Sequence, residues 1–376
     1  LGQNQAGEAR RVSAFSLYLG LLISALFAVG IGVFMEPVLK ILGAGENTFQ
    51  YARQYATCVI VIGGVPTVLS NVLANLIRSI GRSREASAGI ILGGLLNIAL
   101  DPLFMFVLMP DGYEVLGAGL ATCLSNCVAF LFFVAVLIRM GRGAVITFSP
   151  RAGMPKRESI GAIFGVGIPS AITTFLFDVD YVILDKLMVG HGDLAMAAVG
   201  IVLKVERFPL NVGIGICQGM MPLVAYNYAA KNKRRMEETI HRAGRLGLII
   251  AGISIALYEL FATQFTHLFI QEPQTVALAS QFLRIRVLAT PLMFLCFFTV
   301  YIFQAFGKGR VSLCLGMIRW LAFNIPLLFL LDSLFGMLGI VWAQAIADCL
   351  AVGLSFYAYH KYRPRMDDLG DAPQAG

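Results

Sequence analysis

Asn97 and Asp101 stand four residues apart in the apolar stretch "LGGLLNIALDPLFMF" (92–106), and Pro102 follows the aspartate directly. Residues four apart on a helix share one face, one turn apart. An ionised carboxylate inside a bilayer is costly unless it meets a partner, water or an ion. Pro102 has no N–H, so the carbonyl of Ile98 loses its helix partner. Carboxylate, amide and freed carbonyl are all oxygen ligands, suited to a hard cation or a proton relay. The competing reading is that Asp101 caps or ends its helix near an interface. Its position about 16 residues into the helix, roughly 24 Å along it, and its pairing with Asn97 favour an ion site.

A second polar cluster, "FDVDYVILDK" (177–186), puts Asp178 and Asp180 in mid-span. At i and i+2 they face different directions, so at most one faces a cavity directly. There a carboxylate can exchange a proton for an organic cation; otherwise the pair makes interhelix bonds, for example to Lys204 or Arg207. Asp185 and Lys186 lie nearer the helix end and read as structural or interfacial. "VLKVERFPLN" (202–211) places Lys204, Glu206 and Arg207 in an apolar helix. An ion network explains them, with Glu206 also a candidate contact for a substrate cation. Gln281, Arg284 and Arg286 open a later helix, where snorkelling to the interface is the expectation. Gln344 and Asp348 share one face of the last helix and are candidate cavity-lining residues.

The elements that position these groups are membrane spans. The 376 residues are 58% hydrophobic and only 14% charged, against about 25% charged in soluble domains. Apolar stretches recur at about 13–34, 52–79, 86–109, 116–139, 159–189, 194–229, 240–266, 277–306, 311–331 and 336–360, giving ten helices of an all-α polytopic membrane protein. Alternate connections are rich in Lys and Arg, as in "KNKRR" (231–235), while "PDGYE" (110–114), "GHGD" (190–193) and "QEP" (271–273) contain neither. This alternation places both ends in the cytoplasm and the chain in the cell (inner) membrane. The net charge of +7 therefore belongs to the bilayer, and no nucleic-acid partner is implied. The seven cysteines read as packing residues. The four histidines are scattered at helix ends and in loops, which argues against an enzyme, and there is no P-loop motif to bind ATP.

The chain also repeats itself. "LIRSIGRSR" (76–84) matches "IFQAFGKGR" (302–310) at an offset of 226, and "VLGAGLATCLSNC" (115–127) matches "MLGIVWAQAIADC" (337–349) at 222. The basic loops coincide, so the repeats are parallel. Gln344 and Asp348 fall at the repeat positions of Thr122 and Asn126. Pro66 and Thr290–Pro291 fall at nearly equivalent positions, as paired hinges would. The second copy has six spans and the first has four, which predicts twelve helices with two preceding Leu1. The expected organisation is an N-terminal lobe over 1–150, a C-terminal lobe over 151–362 and a cytoplasmic tail over 363–376.

In this order and spacing, "RSIGRSREA" (78–86), "LNIALDPLF" (96–104), "FGVGIPSAITTFLFDVDYVILDKLMVG" (164–190) and "GICQGMMPLVAYNYAAKN" (215–232) resemble the multidrug and toxic compound extrusion (MATE) transporters of bacterial type. The resemblance covers residues 1–362, without the family's first two helices. It implies two pseudo-symmetric six-helix lobes and a monomer. It also implies secondary export of small organic cations by alternating access, coupled to Na⁺ or H⁺ and needing no other cofactor. Asn97, Asp101 and Thr122 match the family's cation site, which usually includes a further aspartate on the first helix. Asp178, Asp180, Glu206, Gln344 and Asp348 are the candidates for substrate binding or proton coupling. The alternative is a lipid-linked oligosaccharide flippase of related fold, whose anionic cargo would call for Arg or Lys facing the cavity.

Overall fold

The computed structural model describes residues 5–42, 45–141 and 145–362, and these are helical with no strand among them. The first compact unit runs to Ile160, and a second begins at Gly161. The expected tail over 363–376 lies outside the described residues.

The first unit contains α1 (Ala6–Val33), α2 (Met35–Ile41), α3 (Glu46–Ala56), α4 (Gly64–Ser79), α5 (Ser83–Leu103) and α6 (Glu114–Met140). The second contains α7 (Arg157–Val189, whose first turn precedes Gly161), α8 (Asp193–Ala229), α9 (Lys233–His267), α10 (Pro273–Val287), α11 (Thr290–Ala305), α12 (Gly309–Met317), α13 (Ile325–Phe335) and α14 (Met337–Tyr362). Eight spans are long and apolar enough to cross a membrane, and counting each of two bent helix pairs as one span makes ten. This is an all-α polytopic membrane fold.

The repeat is visible in the helix breaks. The α3–α4 pair bends by 48° and the α10–α11 pair by 46°. Their breaks fall at Gly63 and Ala289, 226 residues apart. The chain likewise leaves helical geometry at Phe34 after α1 and at Phe261 inside α9, 227 apart. Short π-helical stretches, in which a turn is widened by an extra residue, interrupt or end the spans at Thr57–Ile62, Phe104–Leu108 and Ile318–Asn324. Such widened turns redirect side chains and are frequent at functional sites.

Two glycines let the last helices of each unit approach their neighbours. A Cβ on Gly117 would stand 2.8 Å from the Phe104 carbonyl oxygen, and one on Gly339 would stand 2.0 Å from that of Leu331. They are 222 residues apart, and each packs its helix onto a backbone carbonyl of the preceding span. At the α13–α14 corner Gly336 takes φ +60°, which an L side chain adopts only with strain. The core of the second unit lies where α7, α8, α10 and α14 meet, around Leu184, Val202, Phe282 and Ile340. In the first unit, Leu73, Ile77 and Phe133 form a core between α4 and α6.

Candidate functional site

In the first unit, Asn97 donates from Nδ2 to Asp101 Oδ1 at 2.9 Å and approaches Thr122 Oγ1 at 3.3 Å. Thr122 in turn donates to the Ala118 carbonyl at 2.9 Å. The sequence places the amide one turn before the carboxylate, and the α5–α6 packing brings the hydroxyl across. All three are half-buried. Asp101 has no ion-pair partner among the described residues, and its Oδ2 accepts no hydrogen bond from them. The reading that Asp101 ends its helix does not hold. The helix continues through Pro102 and the π-helical stretch to Leu108, so the carboxylate is interior to a 26-residue apolar span.

Among the described residues no three His, Cys, Asp or Glu side chains come together to hold a metal. A cation at Asp101 would meet one carboxylate and neutral oxygens, a donor set fitted to a monovalent ion or a proton rather than to a tightly held divalent metal. With the Asn97 amide turned over, Oδ1 would replace the donor beside Asp101 and complete an oxygen ligand set.

The second unit holds a buried charge network. Arg286 makes a two-pronged pair with Glu206, Nε to Oε2 at 2.6 Å and Nη2 to Oε1 at 2.8 Å, and Tyr181 donates to Glu206 Oε1 at 3.1 Å. Arg319 Nε donates to Asp348 Oδ1 at 2.7 Å, while Gln344 Nε2 donates to Oδ2 at 3.0 Å. The guanidinium of Arg319 also lies 4.3 Å from the Trp320 ring centre and 4.8 Å from that of Phe297. Such contacts offset part of the cost of dehydrating a cation. Asp180, 1% exposed, accepts from Asn324 Nδ2 at 2.7 Å. Three carboxylates thus share two guanidiniums, and the unmatched charge rests on Asp180, whose hydrogen-bond partner is a neutral amide.

The sequence-predicted residues divide accordingly. Asp180, Gln344 and Asp348 are buried, Glu206 is half-buried, and Asp178 is exposed on the other side of α7. Asp180 bonds to Asn324, not to Lys204 or Arg207. The snorkelling expectation fails for Arg286. Its side chain is 1% exposed because it turns inward to Glu206, whereas Arg284, two residues earlier, is 49% exposed and lies 3.9 Å from Glu259. Sequence reasoning missed Arg319, Asn324 and Tyr181. The signal that would have flagged the first two was available: "IRWLAFN" (318–324) sets Arg319 and Asn324 inside a further apolar span. Such groups need partners.

Two repeated lobes of bent helices with carboxylates set inside the spans define the protein as a multi-pass membrane transporter. The MatE family model matches residues 1–103 and 169–330. The chain therefore belongs to the MATE family of transporters and is not an enzyme. It is 29% identical over 366 residues to the multidrug export protein MepA of Staphylococcus haemolyticus strain JCSC1435, covering 97% of this chain and 79% of that protein. It is 28% identical over 369 residues, with the same coverage, to MepA of Staphylococcus aureus strain MSSA476. Among solved structures, MATE in its straight conformation superposes with a TM-score of 0.87 at 24% identity, covering 99% of this chain and 82% of the other. That likeness speaks to the fold.

Proposed function

We propose that the chain is a multidrug exporter of the cell membrane that works as a monomer. Inward movement of Na⁺ or H⁺ drives outward movement of organic cations by alternating access. The observation that carries the coupling assignment is Asp101, a carboxylate inside an apolar span, bonded only to Asn97 and lacking a basic partner among the described residues. In this reading Asp101, Asn97 and Thr122 take the coupling ion. Asp178 meets the substrate's positive charge, and Asp180 exchanges the proton that its unmatched charge attracts. Glu206, Gln344 and Asp348 hold the surrounding network in place.

Ethidium efflux from energised vesicles tests the coupling site. Asp101→Asn keeps the shape of the side chain and removes its charge, so efflux is expected to fall about tenfold or more, the usual scale of losing one charged interaction. Imposing Na⁺ and pH gradients separately identifies the ion. Full efflux by Asp101→Asn with unchanged ion dependence would overturn the assignment.

A further inference from the structure

One face of α9 passes from charge to hydrocarbon without a break. Arg242, Arg245, Ile249, Ile253, Ala256 and Leu260 are all exposed and follow one another at three or four residues, which is one side of a helix. The opposite side is packed. Gly244 and Gly247 lie against the rings of Phe298 and Phe294 on α11, and a Cβ on Gly247 would stand 1.9 Å from the Phe294 ring. That packing fixes the rotation of α9 and turns the two arginines outward with the isoleucines.

The uncharged run "LGLIIAGISIALY" (246–258) follows Arg245 directly, about 20 Å of helix. Its outward side chains Ile249 and Ile253 are 59% and 54% exposed, so they face acyl chains. The arginines therefore stand where the hydrocarbon ends. Three residues of helix, about 4.5 Å, separate them, which fits inside a headgroup layer roughly 5–8 Å deep on each side of a bilayer. Their charge is largely unspent. Among the described residues Arg245 has no carboxylate within ion-pairing distance, and Arg242 has Glu238 at 3.9 Å, which Arg234 also holds at 3.1 Å. The Arg242 side chain is 84% exposed. By contrast, Arg82 pairs with Glu85 at 3.4 Å, and Lys308 donates to the Tyr362 carbonyl.

We infer that Arg242 and Arg245 form a binding site for an anionic phospholipid: the two guanidiniums clamp the lipid phosphate, and an acyl chain lies along Ile249 and Ile253. Planar guanidiniums match phosphate oxygens in pairs of charge-assisted hydrogen bonds. A zwitterionic lipid brings its own cation beside the arginines and gains less, whereas a lipid of net negative charge gains from each basic group at the surface. The inference needs α9 to span a bilayer; it depends on no assignment of substrate or coupling ion.

A tryptophan reporter beside the arginines tests this in the full chain. Ile249→Trp places an indole on the lipid-facing side, and the parent chain gives the background from Trp320 and Trp342. The chain is reconstituted in vesicles that mix brominated phosphatidylglycerol with unlabelled phosphatidylcholine, or the reverse, and quenching of the added indole gives the relative binding constant of the two lipids at this site. Phosphatidylglycerol is expected to bind about tenfold or more tighter than phosphatidylcholine. Adding R242Q/R245Q is expected to bring the two within about twofold, while R242K/R245K keeps part of the preference. Inorganic phosphate, added at constant ionic strength, is expected to leave the preference unchanged, because it lacks the acyl chains. If the double glutamine variant does not fold, R242Q and R245Q are measured singly, each expected to lose about threefold. Equal binding of the two lipids by the Ile249→Trp chain, a preference that survives removal of both arginines, or its loss to inorganic phosphate overturns the inference. No gradient or substrate is present, so these results are independent of the Asp101→Asn efflux result.

Discussion

Asn324 reaches across to Asp180 and donates to its carboxylate at 2.7 Å, joining the π-helical stretch Ile318–Asn324 to the middle of α7 over 144 residues of chain. The same stretch carries Arg319 in its second position, which pairs with Asp348 on α14. A widened turn therefore supplies two polar side chains to the interior, one to each neighbouring helix.

Asn324→Leu should destabilise the protein by about 2 kcal/mol, because the buried Asp180 carboxylate loses its hydrogen-bond donor. Asp180→Asn should cost less than about 1 kcal/mol, since the pair remains hydrogen-bonded and the unmatched charge disappears. Chemical unfolding in detergent, followed by far-UV circular dichroism, separates the two. Equal destabilisation would show that the charge of Asp180, not its hydrogen bond, is what the fold requires.

Glu206→Gln should cost about 3 kcal/mol, because it leaves the Arg286 guanidinium buried without a counter-charge. Adding Arg286→Met should recover most of that loss. The Nη1 of Arg286 already lacks a hydrogen-bond partner, so the apolar replacement removes an existing debt. Thermal unfolding of the two single variants and the double variant gives the coupling energy. Additive losses would mean that the two side chains act separately.

Gly339→Ala should destabilise by about 2 kcal/mol or more, or displace the α13–α14 corner, since the new methyl falls 2.0 Å from a backbone oxygen that cannot rotate away. Gly353→Ala, on the same helix, has nothing within 4 Å of the added carbon. It should be neutral or stabilising by up to about 1 kcal/mol. Midpoints of thermal unfolding check both, and a harmless Gly339→Ala would contradict the close approach.

The parts of the site legible in the sequence were the local ones. Asn97 and Asp101 are one turn apart, so helical spacing alone puts them in contact. Gln344 and Asp348 follow the same rule. Arg319 and Asn324 were not found, because a π-helical stretch does not keep the 3.6-residue period by which faces are assigned. Arg286 was misread for a related reason. It lies three residues before the break at Ala289, close to a span end when counted along the sequence but inside the packed unit in space.

By itself the sequence determined the all-helical membrane class, the approximate course of the spans, the internal repeat and the local amide–carboxylate pair. Each follows from apolar length, loop charge or a fixed helical period. Only the tertiary structure decided which charges turn inward. "KVER" (204–207) offers α8 three ionised side chains within four residues, and nothing local ranks them. Glu206 is drawn in because Arg286, 80 residues away, meets it with two hydrogen bonds. Lys204 and Arg207 stay exposed, and Asp180, the buried carboxylate without a guanidinium of its own, takes the Asn324 amide instead. A charge can be dehydrated only where a partner repays the cost, and the fold alone sets where partners stand.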